Sequence, residues 1–336
     1  MSVRHSGRLT TALLALAAPL LAVPAAAPAH AAAPVYVALG DSYSSGTGTR
    51  SYLADGTSCQ RSTLAYPSLV AAARGYALNF RACSGARVAD VTNTQLSALG
   101  ASTRYVTISV GGNDAGFADV LTECATPWWA GDCNRAIDKA QTFINTTLPG
   151  RLGTLYASIR AQAPNAEVVV VGYPRIFMGE DCNAGTWFSP AEQSRLNQTA
   201  DLLNSRTQTA ATARGFGFAN PTGRFTGHAV CDDVEWINGL SYPVTESYHP
   251  NRPGHSSGYT PVVSPLLTGA TVNVTRGTLA AAAAQEDRLA RQQASYAAVD
   301  AAIEPEAFTP PDPRSARSRA AARAHGIDVD RWLARH

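Results

Sequence analysis

The chain has 336 residues, with 27 Lys and Arg against 25 Asp and Glu, so its net charge is only +2 and 15% of it is charged. That near-balance argues against a nucleic acid or an acidic polymer as the main partner. Almost every basic residue is Arg, Lys139 being the only lysine, and biased codon usage accounts for this more simply than phosphate binding does.

Residues 1–31 read as an export signal rather than as part of the fold. Arg4, His5 and Arg8 make a basic start, Thr11 to about Val23 is apolar, and Ala29-His30-Ala31 offers small residues where a signal peptidase cuts. Pro19 and Pro24 interrupt the run, which is short for a membrane span, and no later stretch is apolar enough to cross a bilayer. The expectation is a secreted, extracellular protein.

Residues 32–270 form the body. Four short apolar runs, Val35–Leu39, Tyr105–Val110, Val168–Gly172 and Gly215–Ala219, read as strands, the first three rich in β-branched residues. The first three lack strict alternation, as strands buried on both faces of a parallel sheet do. Helical stretches lie between them. One covers roughly 134–163, interrupted near Pro149-Gly150. The clearest opens at Ser189-Pro190-Ala191-Glu192, where a serine cap, a proline in the first turn and a glutamate three residues on make a capping box. It runs through Leu196, Leu202 and Leu203 to Gly215. Alternating strand and helix predict an α/β fold with helices over both faces of a parallel sheet.

Composition changes in residues 271–336. Thr278–Ile303 is alanine-rich and reads as a helix, Glu304–Pro313 holds four prolines and reads as an extended linker, and Ser315–Arg335 is again rich in Ala and Arg. The expectation is a C-terminal helical extension, a surface appendage to the body.

Six cysteines, Cys59, Cys83, Cys124, Cys133, Cys182 and Cys231, suit an oxidising compartment. None sits in a CxxC pair and no histidine stands at zinc-ligand spacing, so a metal site is not expected. Six cysteines allow about fifteen pairings. The sequential one, 59–83, 124–133 and 182–231, closes three local loops and is the expectation.

Three segments carry chemical meaning, two of them at the carboxyl ends of strands, where ligands gather in such sheets. The first strand leads into Gly40-Asp41-Ser42, which offers a serine hydroxyl beside helix N-terminal amides, although an ordinary capped turn reads the same way. The second leads into Gly111-Gly112-Asn113-Asp114, a tight loop with a neutral amide donor. Near the end of the body stands Tyr248-His249-Pro250-Asn251. A serine nucleophile needs a base, and outside the signal and the extension only His228, His249 and His255 are available.

Gly40-Asp41-Ser42, Gly85 within Ala82-Cys83-Ser84-Gly85-Ala86, Gly112-Asn113-Asp114 and His249-Pro250-Asn251 together resemble the four blocks of the SGNH (GDSL) hydrolases, in their usual order. With its cysteines, the chain is similar to the secreted actinomycete lipases and esterases of that family. The resemblance implies a flavodoxin-like three-layer α/β/α sandwich with no metal or organic cofactor. It implies Ser42 as nucleophile, His249 as base, and the amides of Ser42 and Gly85 with the Asn113 side chain as oxyanion hole. Most members carry an aspartate three residues before the histidine, where this chain has Glu246. In the lipase branch a backbone carbonyl orients the histidine instead, here that of Ser247 or Glu246. A Ser–His dyad assisted by a carbonyl is therefore expected ahead of a glutamate triad.

The implied activity is hydrolysis of carboxylic esters of fatty-acyl lipids through an acyl-serine intermediate. The rival readings are a carbohydrate acetyl esterase of the same class and a non-catalytic binding protein. The expected partner is a lipid or small ester, met by a monomer with transient contact to lipid aggregates. Tyr43, Trp128, Trp129, Trp187, Phe188 and Tyr248 are aromatic candidates for an acyl groove or lipid-facing rim, and equally for core packing. No segment reads as a lid of the kind large lipases carry.

Overall fold

The computed structural model describes residues 1–7, 32–306 and 308–335. The export signal expected over residues 1–31 falls mostly on residues 8–31, outside those described. From Ala33 onward the chain is built on five parallel strands: β1 Val35–Gly40, β2 Ala77–Phe80, β3 Thr103–Ser109, β4 Glu167–Val171 and β5 Gly217–Ala219, in the order β2-β1-β3-β4-β5. Tyr36 to Leu39 and Val168 to Val171 are buried throughout, which is why these runs do not alternate. This is the expected α/β class.

Helices flank the sheet. Tyr66–Arg74 and Thr260–Thr268 pack against each other and on the strands, whereas Cys133–Thr146, Leu148–Gln162 and Pro190–Thr212 pack against one another, Pro190–Thr212 also meeting β4 and β5. The Pro190–Thr212 helix starts as its sequence requires, Ser189 Oγ accepting from the Glu192 amide and the Glu192 carboxylate accepting from the Ser189 amide. The long helical stretch before it divides at Thr147, because Pro149 fits only the first turn of a new helix. β2 has no counterpart among the expected strands. Its sequence ALNF carries no β-branched residue, and its pairing with β1 sustains it at the sheet edge. β5 is shorter than expected because Gly215, at φ 68°, belongs to the turn that ends the preceding helix.

The strand order reverses between β1 and β3, so the loops after these two strands diverge and leave a crevice at their carboxyl ends. The Ser42 and Asn113 loops both stand there. Disulfides link Cys59 to Cys83, Cys124 to Cys133 and Cys182 to Cys231, the sequential pairing.

The extension is packed onto the body rather than hanging from it. Its alanine-rich part is three short helices, Arg276–Ala283, Glu286–Ala294 and Ala297–Asp300, in place of one long helix. The breaks let Leu289, Gln293 and Asp300 all turn inward at the edge beside β2. Asp300 is fully buried and accepts from both Arg61, at 2.6 Å, and Arg81, at 2.7 Å. Arg61 also meets Asp55 at 2.8 Å, so two buried guanidiniums face two carboxylates. Beyond the Pro-rich stretch, helices Ala316–Ala324 and Val329–Leu333 pack Ala322 and Val329 around Trp129.

Candidate active site

Ser42 opens the short helix Ser42–Ser45 directly after β1. Gly40 makes the bend at φ 118°, and a Cβ there would stand 2.2 Å from the Ser109 carbonyl, so only glycine fits. The buried Gln95 side chain holds both polar groups of Gly40, its Oε1 accepting from the amide at 2.7 Å and its Nε2 donating to the carbonyl at 2.9 Å. Asp41 caps the helix, accepting from the Tyr43 amide at 3.1 Å, the Ser109 hydroxyl at 2.8 Å and the Tyr173 hydroxyl at 2.5 Å. Burial pushes the Asp41 carboxyl up to about 6, against the lowering effect of those donors.

His249 reaches the serine from the other end of the sequence. Tyr248 before it adopts a left-handed φ of 60°, and its carbonyl accepts from the Tyr43 hydroxyl at 2.7 Å, tying the histidine turn to the serine helix. His249 Nδ1 is 2.9 Å from the Ser247 carbonyl. A carbonyl only accepts, so Nδ1 carries the hydrogen and Nε2 is free to accept from the Ser42 hydroxyl, 2.8 Å away. Burial lowers the His249 pKa to about 4, the bond to the Ser247 carbonyl acting weakly in the opposite direction.

The Gly85 and Asn113 loops face the same point. Asn113 Nδ2 donates to the Ala86 carbonyl at 3.0 Å, which fixes the amide plane and leaves its second hydrogen uncommitted. The Asp114 carboxylate accepts from the Val88 amide at 2.9 Å, joining the two loops. Gly85 is buried at φ 85°. Among the described residues neither the Ser42 amide nor the Gly85 amide donates to a protein acceptor.

Glu246 has other partners than the imidazole. Its carboxylate accepts from the Tyr52 hydroxyl at 2.7 Å and lies 3.4 Å from Arg50. His255 stands behind the site, its Nδ1 accepting from the Tyr66 amide at 3.3 Å, and burial first and His249 second lower its pKa to about 3. His228 stacks on Trp236 with ring centroids 3.7 Å apart. Two supporting residues, Gln95 and Tyr173, carry no sequence signal, because a buried glutamine or tyrosine outside a motif looks like any other.

An apolar cavity opens beside Ser42. Ser42, Asn113 and Tyr173 stand at its polar end, and Phe117, Leu121, Ile144, Ile176, Leu196 and Leu203 are among its walls. Of the aromatic candidates only Tyr43 lines it. Phe188 and Tyr248 pack in the core, Trp129 packs under the extension, and Trp128 is 67% exposed.

A serine hydroxyl bonded to a main-chain-oriented histidine, beside an apolar cavity on a doubly wound sheet, defines the class of α/β serine hydrolases. Residues 38–256 match the GDSL-like Lipase/Acylhydrolase family. A lipase of Streptomyces rimosus is 42% identical over 268 residues, spanning 78% of this chain and 99% of its own length. Lipase 1 of Streptomyces coelicolor is 43% identical over 265 residues, spanning 78% and 97%. The crystal structure of the extracellular S. rimosus lipase covers 71% of this chain and all of its own, with a TM-score of 0.65 at 43% identity. A phospholipase A1 from Streptomyces albidoflavus gives the same score and identity over 71% of this chain and 99% of its own. The chain belongs to the GDSL-like lipase/acylhydrolase family and is a carboxylic ester hydrolase.

Proposed function

We propose that Ser42 and His249 hydrolyse esters of fatty acids as a dyad, the Ser247 carbonyl orienting the imidazole. The observation that carries this reading is the line from the Ser42 hydroxyl through His249 to the Ser247 carbonyl, with contacts of 2.8 and 2.9 Å at the mouth of the apolar cavity. His249 Nε2 takes the serine proton as Oγ attacks the ester carbonyl. The oxyanion that forms is met by the free amides of Ser42 and Gly85 and the second hydrogen of Asn113 Nδ2. The imidazolium then gives its proton to the departing alcohol, and water attacks the acyl-serine by the same route in reverse.

The apolar cavity suits an acyl chain, and the similar Streptomyces proteins include lipases and a phospholipase A1, so the substrate is a fatty-acyl lipid ester. Secretion is part of the reading. It is supported by the N-terminal signal pattern, the three disulfides and the extracellular S. rimosus lipase.

Ser42→Ala tests the chemistry. It is expected to lower kcat on a medium-chain p-nitrophenyl ester by at least about a thousandfold without changing the melting temperature. A folded variant that keeps a tenth of the parent rate would sink the assignment.

A further inference from the structure

Between Asp300 and the last two helices the chain crosses the catalytic face. Glu304 and Pro305 lie directly on Gly85. A Cβ on that glycine would meet the Glu304 carbonyl at 2.2 Å and the Pro305 Cα at 2.7 Å. Glu306 pairs with Arg87, two residues further along the Gly85 loop. Phe308 is buried edge-on against Tyr248, with ring centroids 5.0 Å apart, and the Thr309 amide donates to Thr122 Oγ1 at 2.9 Å. The segment therefore begins over the proposed oxyanion glycine and ends beside the residue that precedes the proposed base. Ser42 is only 5% exposed and His249 only 8%. The family match ends at residue 256, so this strap is additional to the matched domain.

We propose that Glu304–Glu306, pinned by Phe308, forms the alcohol-side wall of the ester site and limits the size of the alcohol that can leave. The argument rests on the assignment of Ser42 and His249 above. Among the described residues, neither Glu304–Glu306 nor Phe308 lines the apolar cavity, so the strap leaves that cavity to the acyl chain. The leaving oxygen must face His249 to receive its proton, and Phe308 packs on Tyr248, the residue next to that histidine, so the strap borders the side on which the alcohol departs. Slender alcohols depart unhindered, whereas a glycerol backbone carrying a second chain and a headgroup presses on the strap and turns over more slowly.

The test uses the full-length chain and two full-length variants. Glu306→Arg sets a like charge against Arg87 without touching the core, and Phe308→Ala removes the anchor. Ethyl butyrate and dibutyrylphosphatidylcholine share the acyl group and differ in the alcohol. The ratio of kcat/KM for the phospholipid to that for ethyl butyrate is expected to rise by about tenfold in at least one variant. Labelling of Ser42 by a phosphonate bearing a diacylglycerol group should accelerate in parallel, while labelling by the slim diethyl p-nitrophenyl phosphate changes little. Ratios within about twofold of the parent in both folded variants overturn the wall, since steric exclusion worth less than that selects nothing. If the slim reagent modifies a residue other than Ser42, the nucleophile assignment fails instead, and peptide mapping separates the two results.

Discussion

Replacing Asp300 with alanine leaves two guanidinium groups in the interior with one carboxylate between them. Arg61 keeps Asp55 at 2.8 Å and the Ala82 carbonyl at 2.9 Å. Arg81 loses the one carboxylate it contacts among the described residues. It retains the Gln293 side chain and the Thr94 carbonyl, both at 3.0 Å, and the Tyr296 ring 3.8 Å from its guanidinium carbon. Those neutral partners satisfy hydrogens but not the charge, and burial already lowers the Arg81 pKa. Breaking one side of a fully buried pair costs about 3–5 kcal/mol, a large part of the roughly 5–15 kcal/mol that holds a domain together. Urea unfolding followed by tryptophan fluorescence reads this directly, as a lower midpoint with unchanged slope. Arg81→Met combined with Asp300→Leu should recover most of the loss, because Arg61–Asp55 is then a neutral pair in an apolar setting. A loss below about 1 kcal/mol in Asp300→Ala would refute the reasoning, since an ordinary neutral hydrogen bond is worth that much.

Glu246→Gln keeps the Tyr52 bond and leaves Nδ1 of His249 on its carbonyl, so kcat should fall by less than about threefold, against about ten-thousandfold for loss of a working triad carboxylate. Steady-state kinetics on a soluble ester decide between them. For the pH profile the sign follows from burial, which favours the neutral imidazole, the form that acts as base. With the His249 pKa lowered to about 4, kcat/KM should hold on acidification to about pH 5 and then fall with a midpoint near 4. An acid limb near 6.5, the ordinary histidine value, would contradict that environment.

The parts of the fold that could be read in the sequence are those where local signals agree. β1 and β4 are continuous buried runs, and the Pro190–Thr212 helix announces its own first turn. β2 escaped because ALNF is a strand only by virtue of its neighbour. Within the site, the Gly-Asp-Ser and His-Pro-Asn motifs single out Ser42 and His249, and the folded chain has them 2.8 Å apart. Which atom faces Nδ1 depends on a turn through the positive φ of Tyr248, and spacing alone gives no sign of it. The extension was the least legible part. Arg61 and Arg81 look like any surface arginines until Asp300 arrives from 239 and 219 residues away, and a proline-rich run reads as a linker whether or not a glycine waits beneath it.

The contact between His249 and the Ser247 carbonyl also bears on how the site tolerates sequence drift. A carboxylate that orients a histidine can be removed by a single codon change. A main-chain oxygen cannot, since every residue type at position 247 brings one. Substitution there alters the Ser247 hydroxyl, which accepts from the Ser241 amide at 2.9 Å, and leaves the chemical identity of the oxygen facing the imidazole as it was. The vulnerable element becomes backbone shape: the left-handed turn at Tyr248 and the hydroxyl of Tyr43 that holds its carbonyl. Variation damaging to this histidine should therefore collect at the residues that set the turn, and position 247 itself should be comparatively free to vary.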